Sequence, residues 1–576
     1  MLGSVVPKLV AVFVLFALST LPVCAQEGGD ASQPGSGGAE EHAAGGSQVG
    51  KARNGSSTYI ELDSWIYPVV ERLAALGVIH DAYLGLRPWT RMAVYRMIAG
   101  IDPTNLEGEA GNLLAALRSE LNREEEVAQG SPNKAARVDQ VYTRGQYIAG
   151  QPLNDSFHFG QTIVDDFGRP YGNGFQEITG FESSAEYGMF SAFVRGEFQH
   201  APGVAAYSPA LNSVIQTQDG IPGETNQGRM AQNQFRLLDT YASLNILNNE
   251  ISVGKQSYFW GPATSGALLL SNNAEPFYSL RINRTIPLHI PLLSRLLGPM
   301  RYDNFIGKLS GDHYPPRPMF YGNKISFHPT KNLEIGFSRD AVFGGAGLEP
   351  LTFGNFWTSF TSTASGSGPG SNPRFGPGAR RGNFDFVYRV PFLRDWVTLY
   401  TDSLVHDDVS PLDAPRRAAV LPGIYLTKFP YFHKLDLHVE GGTTDTVTHR
   451  AEGGDFYYLE GFYRDSYTNK GFLLGSWLGR EGTGGNGWIT YWLSPQNTLK
   501  IGFRELQVSP FFVPGGLTQR DGYGELNYRW KSGVGVQLFL QEERWNAPVL
   551  SPKPQHNFTT QVQVSFNPKD WALQKH

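Results

Sequence analysis

The sequence predicts an all-β transmembrane barrel with a small α-helical domain before it. Across residues 138–567, hydrophobic and polar residues alternate in short segments, as strands with one face toward lipid and the other toward water require. The connections between these segments are alternately short and long, which is typical of outer-membrane barrels. Beyond residues 1–25, no stretch offers the roughly 18 consecutive apolar residues of a transmembrane helix. Strands are therefore the remaining way to cross a bilayer.

Residues 434–440, KLDLHVE, show the clearest alternation, because every second residue is apolar and the residues between are charged or titratable. The same pattern recurs at 333–337, 499–503, 526–530, 534–540 and 558–566. The count of such segments reaches about 20, and it becomes odd when 138–148 is included, whereas bacterial outer-membrane barrels have an even number of strands. We therefore expect at least one strand assignment to be wrong.

Loop lengths orient the predicted barrel, because periplasmic turns are short and outer loops are long. The short connections fall on one side, which we assign to the periplasm, at 329–330, 391–394, 429–432, 494–496 and 531–532. The long connections, rich in Gly, Ser and Pro, fall on the other side, at 199–233, 259–276, 342–381, 406–417, 441–454, 508–521 and 544–557. These long loops are expected to face the cell exterior.

Residues 1–25 have the features of a secretory signal peptide. Lys8 gives a weakly positive start, residues 9–21 form an apolar core, and Ala25 precedes the expected cleavage site. A lipoprotein signal that uses Cys24 is the alternative, but the preceding Val23 is not the small residue that such a signal needs. Cys24 is the only cysteine of the chain, so we expect a mature protein without disulfide or thiol chemistry.

Two further segments precede the predicted barrel, and a tail at 568–576 follows it. Residues 26–57 are rich in Gly, Ala, Ser and Glu without periodicity, which predicts a disordered low-complexity linker. Residues 58–130 change to helical periodicity and predict a periplasmic helical domain, with Trp65 and Leu73 in the apolar core stripe of its first helix and Gly77 at the end of that helix. A unit of roughly 70 residues is near the lower limit for independent folding, so we expect it to lean on the barrel rim.

The composition suits one large barrel, with 13% aromatic residues, 18% charged residues and 67 glycines among 576 residues. The formal net charge of −5 gives no support to nucleic-acid binding. The sequence contains no Gly-x-Ser-x-Gly elbow, His-Glu-x-x-His pair, P-loop or Cys/His cluster, so we expect no catalytic residues, no metal site and no cofactor. The carboxylates at 165–166 and 407–408 are expected to be solvated loop residues.

Two parts of the chain resemble the capsule-assembly Wzi family. The first comprises 62–68 (LDSWIYP), 72–77 (RLAALG) and 85–91 (GLRPWTR), and the second comprises 254–262 (GKQSYFWGP), 270–274 (LSNNA) and 280–281 (LR). The resemblance implies an outer-membrane barrel of about 18 antiparallel strands with a periplasmic helical bundle, which binds exported capsular or exopolysaccharide at the cell surface. The chain departs from the family pattern in the extra linker at 26–57 and in the ten residues after Phe566.

The helical motif is also similar to a single S-layer-homology repeat, which has Trp-x-Tyr near one helix start and Arg-Pro-x-Thr-Arg before the next helix. This alternative implies a porin that is tethered to cell-wall polymer. The motif occurs once and no long coiled-coil spacer accompanies it, which disfavours the alternative.

The segment 254–284 supplies the types of group that bind sugars. Sugar rings stack on aromatic side chains, their hydroxyls bond to amides and guanidinium groups, and an acidic sugar adds a carboxylate that arginine holds. We expect a polysaccharide-binding site at the external end of this hairpin. Its candidate residues are Tyr258, Phe259, Trp260, Asn272, Asn273, Arg281 and Arg284. The alternative interpretation is a rim turn with girdle aromatics and loop-capping asparagines.

A second aromatic group lies in the longest predicted external loop and consists of Phe356, Trp357 and Phe360. These residues suit either a platform for sugar rings or a plug that packs into the lumen. The plug is the preferred prediction.

The predicted function is that of an outer-membrane protein, not an enzyme, that binds capsular or exopolysaccharide and supports its assembly or attachment at the cell surface. The expected partners are this polymer, outer-membrane lipid and lipopolysaccharide, and the protein is expected to be a monomer. A general or substrate-specific porin is the alternative. The predicted inward-facing residues mix both charge signs, which suits ion pairs that lock the lumen as well as a channel. They are Lys434, Asp436, His438, Glu440, Lys500, Arg504, Glu525, Arg529 and Glu543.

Overall fold

The computed structural model describes residues 55–568, except 107, 312–313, 349, 362–377, 394, 407–417, 446–456 and 466. The predicted signal peptide at 1–25, the linker as far as residue 54 and the tail from residue 569 lie outside the described residues. Of the helices in the described ranges, none combines the length and the apolar character that crossing a membrane requires.

Eighteen antiparallel strands of the described residues form a closed barrel, in which β1 pairs with β18. The first nine are β1 Lys134–Ala149, β2 Gly174–Tyr187, β3 Phe190–Ala201, β4 Gln232–Ile246, β5 Asn249–Gln256, β6 Phe277–Arg284, β7 Met300–Lys308, β8 Met319–Thr330 and β9 Leu333–Phe343. The others are β10 Ala379–Arg389, β11 Val397–His406, β12 Ala419–Leu426, β13 Leu435–Thr443, β14 Gly482–Ser494, β15 Asn497–Val508, β16 Leu517–Arg529, β17 Val534–Asn546 and β18 Gln555–Phe566. Each strand pairs with its neighbours in chain order.

The predicted fold class is confirmed. The predicted count of about 20 alternating segments is larger than the 18 strands of the closed barrel, which is an even number. Residues 138–148 belong to β1, so the surplus lies elsewhere. Extended backbone is a local property, whereas a place in the wall requires a partner strand on each side. Three pairs of short extended segments form ribbons apart from the wall, namely Leu86–Arg87 with Phe259–Trp260, Asn154–Asp155 with Gly160–Gln161, and Thr468–Asn469 with Phe472–Leu473.

Short and long connections lie at opposite ends of the barrel, as predicted. The short-turn end has the connections 188–189, 247–248, 285–299, 331–332, 390–396, 427–434, 495–496 and 530–533. The long-loop end has the connections 150–173, 202–231, 257–276, 309–318, 344–378, 407–418, 444–481, 509–516 and 547–554. The turn predicted at 329–330 lies at 331–332 instead, because β8 continues to Thr330. The longer connection 285–299 is an exception at the short-turn end and contains a small helix, Leu293–Leu297.

The barrel wall has an apolar outer face and a polar inner face. On β15, Ile501 and Phe503 leave 63% and 51% of their surface exposed on the outside, whereas the adjacent Arg504 is buried in the lumen. Outward apolar side chains bury their surface in hydrocarbon and inward charges find partners within the barrel, so this alternation fits a bilayer.

A compact helical unit precedes β1. It consists of α1 Ile66–Ala75, α2 Arg91–Ala99, the 3₁₀ turn Pro103–Asn105, α3 Gly108–Glu120 and α4 Asn122–Ala128. Gly77 has a φ of +75°, which glycine adopts without strain, and it follows the end of α1 as predicted. Leu73 is fully buried in the core. Trp65 is partly buried; it packs against this core, as predicted, and it also lines a lumenal cavity.

The helical unit enters the barrel instead of leaning on its rim. The fully buried Arg72 donates to Asp436 of β13 over 2.8 Å. The backbone N–H of Leu84 donates over 2.7 Å to Glu334 of β9. Inward carboxylates of the wall need partners once they are out of water, and the helical unit supplies them.

The aromatic group of the longest loop does not plug the lumen. Its helix, Phe353–Thr361, lies against the outer face of the barrel, where Phe356 packs against Tyr321 and Phe343. Arg339, which points outward from β9, donates to the carbonyl oxygen of Phe360 over 2.7 Å. The prediction of a plug is therefore wrong, because apolar outward residues of β8 and β9 provide the surface that this helix covers.

Candidate binding site

Three long loops fold back and fill the long-loop half of the lumen. They are residues 150–173, 257–276 and 457–481. The N–H of Ser271 donates to the carbonyl oxygen of Leu474 over 2.9 Å, which joins two of these loops. The N–H of Gly261 donates to the carbonyl oxygen of Gly85 over 3.0 Å, so the loops also meet the helical unit that enters from the opposite end.

Carboxylates of the wall hold the 257–276 loop in place. Glu440 accepts hydrogen bonds from the backbone N–H groups of Thr264 and Ser265 over 2.8 and 3.2 Å. Asp402 accepts from the N–H of Leu268 over 2.7 Å. The sequence identified Glu440 as an inward residue but gave no sign of its partners, which lie about 175 residues away along the chain. Through these contacts Glu440 anchors the loop, so its carboxylate is bonded to the loop backbone and does not line a channel.

Tyr258 and Trp260 belong to an aromatic cluster inside the lumen. Tyr258 stacks on Phe277 with a centroid separation of 5.1 Å, and Trp260 lies 5.2 Å from Phe305. Trp260 is fully buried, and its indole N–H donates to Asp303 over 3.1 Å. In this arrangement the rings pack on one another, and their faces are not open to a polymer outside.

Arg281 joins this cluster and is fully buried as well. Its guanidinium group makes two hydrogen bonds to Asp303, of 2.8 and 2.6 Å, and lies 4.4 Å from the ring centroid of Tyr59. We predicted that an arginine of this segment holds the carboxylate of an acidic sugar. In the structure, a carboxylate of the protein itself takes this place beside Arg281. Arg281 connects the wall to the N-terminal segment.

The predicted position at the external end of the hairpin is wrong for Arg281 and Arg284. Strand β6 begins at Phe277 at the long-loop end and descends from there, so residues with higher numbers lie deeper. Arg284, the last residue of β6, is at the short-turn end, where it donates to the carbonyl oxygen of Leu247 over 2.6 Å. This direction follows from the long connection at 257–276, since a strand that begins after a loop at the long-loop end runs toward the short-turn end.

The remaining three candidate residues fasten segments to one another. The side-chain amide of Asn272 donates to the carbonyl oxygen of Asp165 over 2.9 Å. The amide of Asn273 donates to the carbonyl oxygen of Leu473 over 3.1 Å. Phe259 is buried in the ribbon with the helical unit. The structure therefore brings together Tyr258, Trp260 and Arg281 in one cluster and places Phe259 against Arg87 of the helical unit. It places the two asparagines where the loops interlock and leaves Arg284 apart.

A cavity of about 650 Å³ remains in the short-turn half of the lumen, between the helical unit and the wall formed by strands β12–β18 and β1–β3. Residues 163–167 and 264–265 form its ceiling. Its mouth reaches Pro495, Gln496 and Asn567, which are partly exposed at the short-turn end. The cavity is therefore separated from the long-loop end by the folded loops.

Aromatic rings and amides line this cavity together. The rings of His438 and Trp488 stack at 4.7 Å, and the glutamines 537, 541 and 561 project from β17 and β18. The sequence predicted the inward position of His438 but not the cavity. The sequence did contain a signal for this cavity. Gln537, Gln541 and Gln561 occupy inward positions of strands whose outward positions are largely apolar.

The charges around the cavity are largely paired or neutralised. Lys500 pairs with Glu525 over 3.2 Å, and Arg144 pairs with Asp166 over 2.9 Å. Burial raises the pKa of Asp165 in the ceiling to about 7, and burial likewise raises the pKa of Glu61 to about 7. These two carboxyl groups are therefore partly protonated near neutral pH.

A separate polar cluster joins two loops at the long-loop end. His158 lies between Asp155 and Asp219, with ring nitrogens 2.9 and 2.8 Å from their oxygens. Arg480 also donates to Asp219. Burial alone would lower the pKa of His158, but the two carboxylates raise it to about 10, so the ring is an imidazolium at neutral pH. The sequence did not predict this cluster, because its members are up to about 320 residues apart.

A closed antiparallel barrel with an apolar outer belt, whose own loops and N-terminal helices fill much of the lumen, is an outer-membrane β-barrel protein with an occluded interior. Residues 143–560 match the family described as capsule assembly protein Wzi. The chain therefore belongs to the Wzi capsule-assembly family, as its two motifs suggested.

Two relatives illustrate this similarity. The first is a solved structure from Escherichia coli, Wzi, described as an outer-membrane protein involved in group 1 capsule assembly and a carbohydrate-binding β-barrel. It is 17% identical, with a TM-score of 0.66 over 89% of this chain and 99% of that one, which shows a shared fold. The second is an uncharacterized 55.8 kDa protein of the cps region of Klebsiella pneumoniae, 26% identical over 239 residues. That match spans 40% of this chain and 45% of the length of the Klebsiella protein.

Proposed function

We propose that the protein binds capsular or exopolysaccharide at the cell surface and supports the assembly or attachment of this polymer there. It acts as a monomeric binding protein and not as an enzyme. Membership of the Wzi family supports this proposal, and so does the carbohydrate binding described for the Escherichia coli relative. The observation that carries it is the filled lumen, since Glu440, Asp402 and Glu334 bind the backbone of the filling segments.

We place the polymer at the long-loop end, which faces the cell exterior in this proposal, with the helical unit on the periplasmic side. The buried cluster around Trp260 and Arg281 then positions the loops from below and does not contact the polymer. A contact surface needs exposed rings, because sugar rings stack on aromatic faces. Phe511, in the turn between β15 and β16, leaves 97% of its surface exposed at this end. We infer that it contributes to the polymer-binding surface.

A pair of matched variants tests this placement. Phe392 is equally exposed, at 96%, but lies in a turn at the short-turn end. Phe511→Ala is expected to weaken binding of purified capsular polymer several-fold, since an aromatic stacking contact contributes about 0.5–1.5 kcal/mol. Phe392→Ala removes the same side chain from the opposite end and should leave polymer binding unchanged. Polymer retention on intact cells and binding by folded barrels in detergent give the two readouts.

The results separate the possibilities clearly. If both variants bind the polymer as well as the unsubstituted protein does, the polymer-binding surface does not include the turn at 509–516. Absence of polymer binding by the unsubstituted protein would contradict the proposed function itself. Outer-membrane lipid and lipopolysaccharide complete the proposed partners, and they would contact the outer face of the barrel.

A further inference from the structure

We propose that the lumenal cavity is a second carbohydrate site, which takes a short neutral oligosaccharide from the short-turn end. This inference rests on the proposed function as a polysaccharide-binding protein, but it concerns a different site at the opposite end. The folded loops separate the two sites. The cavity has a volume of about 650 Å³, which lies within the range of roughly 300–1,000 Å³ that is usual for small-molecule sites.

Gln561 presents an unpartnered side-chain amide to the cavity. Its side chain leaves only 7% of its surface exposed, and it makes no hydrogen bond to any described residue. Its neighbour Gln541 differs, because the amide of Gln541 donates to the carbonyl oxygen of Thr162 over 3.1 Å. The side-chain amide of Gln561 is accessible from the cavity, so a polar molecule there can bond to both its free donor and its free acceptor.

Two other elements present unpartnered groups to the same space. Thr490 of β14 is also 7% exposed, and its hydroxyl has no hydrogen-bond partner among the described residues. Trp65, at the start of α1, lines the cavity with a partly buried indole ring that neither stacks on another ring nor donates a hydrogen bond within the described ranges. An indole face, an amide and a hydroxyl together match the C–H face and the hydroxyls of a sugar ring.

The charges of the lining favour a neutral sugar. Ten carboxyl groups line the cavity against seven Lys and Arg side chains. Several of these cations already pair with carboxylates, namely Arg144 with Asp166, Arg195 with Asp63, Arg504 with Asp521 and Lys500 with Glu525. An acidic sugar would add negative charge to a lining in which carboxyl groups already outnumber the cations. A neutral sugar adds no charge, and amide and hydroxyl groups satisfy its own hydroxyls.

Titration calorimetry on the full mature protein in detergent tests the proposal with defined probes. These are maltohexaose, cellohexaose and chitohexaose as neutral probes and hexagalacturonate as an acidic probe. At least one neutral probe should bind, and Gln561→Leu should raise its Kd about tenfold, because two hydrogen bonds to the sugar are lost. Trp65→Ala should have a similar effect, whereas hexagalacturonate should bind at least about tenfold more weakly than the best neutral probe.

Gln507→Leu is the matched control, because Gln507 is an exposed residue on the outside of β15 and the substitution is the same. It should leave the Kd of the neutral probe unchanged. Heat-modifiable gel mobility should confirm that every variant is folded. The proposal is overturned if no neutral probe binds, or if the folded Gln561→Leu and Thr490→Val variants bind the probe as the unsubstituted protein does.

Polymer retention on intact cells separates this inference from the proposed function. Gln561→Leu should leave retention unchanged, since Gln561 lies far below the long-loop end. If cells with the unsubstituted protein retain no polymer while the purified protein binds the probe, only the proposed function is contradicted. Retention without probe binding would contradict only the cavity site.

Discussion

At the scale of single residues, buried polar groups determine how the interior is arranged. The sequence indicated that the 254–284 segment carries aromatic rings and arginines, and it is these groups that form the cluster in the lumen. It did not indicate their partners, because Asp303 lies on another strand and Tyr59 more than 200 residues earlier in the chain. A residue type suggests which contacts are chemically possible, whereas burial decides which of them are made.

Arg281→Ala should destabilise the barrel strongly. It would leave Asp303 buried without its cationic partner, and breaking a buried pair in this way costs about 3–5 kcal/mol. The effect is measured as the change in the free energy of unfolding in urea, with the loss of heat-modifiable gel mobility as the readout of unfolding.

Arg520→Ala is a suitable control for this measurement, because Arg520 is 62% exposed and pairs with Glu505 on the outer surface. Such an exposed pair contributes at most about 1 kcal/mol. Equal destabilisation by the two substitutions would contradict a structural role for the Arg281–Asp303 pair.

At the scale of elements, the helix Phe353–Thr361 shows what periodicity leaves open. Its aromatic residues suggested either a platform for sugar rings or a plug in the lumen, and the outer wall was not among these alternatives. Phe356 packs on the wall, while Phe353 and Trp357 remain 49% and 45% exposed on the other side. Since these residues continue the apolar outer face, we expect acyl chains of the outer leaflet to cover them.

Quenching by brominated lipid tests this position. In proteoliposomes that contain brominated acyl chains, Trp357→Phe should remove a component of the quenched tryptophan fluorescence. The same substitution should not change quenching by aqueous iodide. The reverse pattern would show that this side of the helix faces water and not the bilayer.

The loops at the long-loop end should show a pH dependence that originates at His158. The folded pKa of about 10 lies above the ordinary value of about 6.5, so the contacts with Asp155 and Asp219 stabilise fully below about pH 6.5. This stabilisation is lost as the pH rises through about 10.

Hydrogen exchange in the helix Pro209–Asp219, corrected for the intrinsic effect of pH, should therefore accelerate between neutral pH and pH 10. The helix Phe353–Thr361 contains no titratable residue and serves as an internal reference. His158→Gln should abolish the acceleration. Persistence of the acceleration in this variant would assign it to another group.

At the scale of the whole molecule, the wall was predictable and the filling was not. Alternation with a period of two is a local property of each strand, so residues such as Ile501 and Arg504 reveal their faces directly. The helical unit, the loops and the cavity depend on contacts between segments that are hundreds of residues apart. Glu440 illustrates the difference, because its inward position was predicted correctly and its role as a loop anchor was not.

Two wall carboxylates hold the filling from opposite ends, which allows a test of the occluded lumen. Glu334 binds the backbone N–H groups of Leu84 and Gly85 over 2.7 and 3.1 Å, and Glu440 binds the 257–276 loop. A Glu334→Ala and Glu440→Ala double variant leaves these N–H groups without acceptors, and each costs about 1–3 kcal/mol if it stays buried. The filling segments should then open transiently.

In planar bilayers, the unsubstituted protein should therefore show no stable conductance steps, and the double variant should show flickering steps. Glu505→Ala, on the outer surface, should remain silent. Large stable steps from the unsubstituted protein would favour the porin alternative, because a lumen that conducts freely cannot be closed by its own loops. Silence of the folded double variant would show that these two carboxylates are dispensable, and that the packed cluster around Trp260 and Arg281 holds the lumen shut without them.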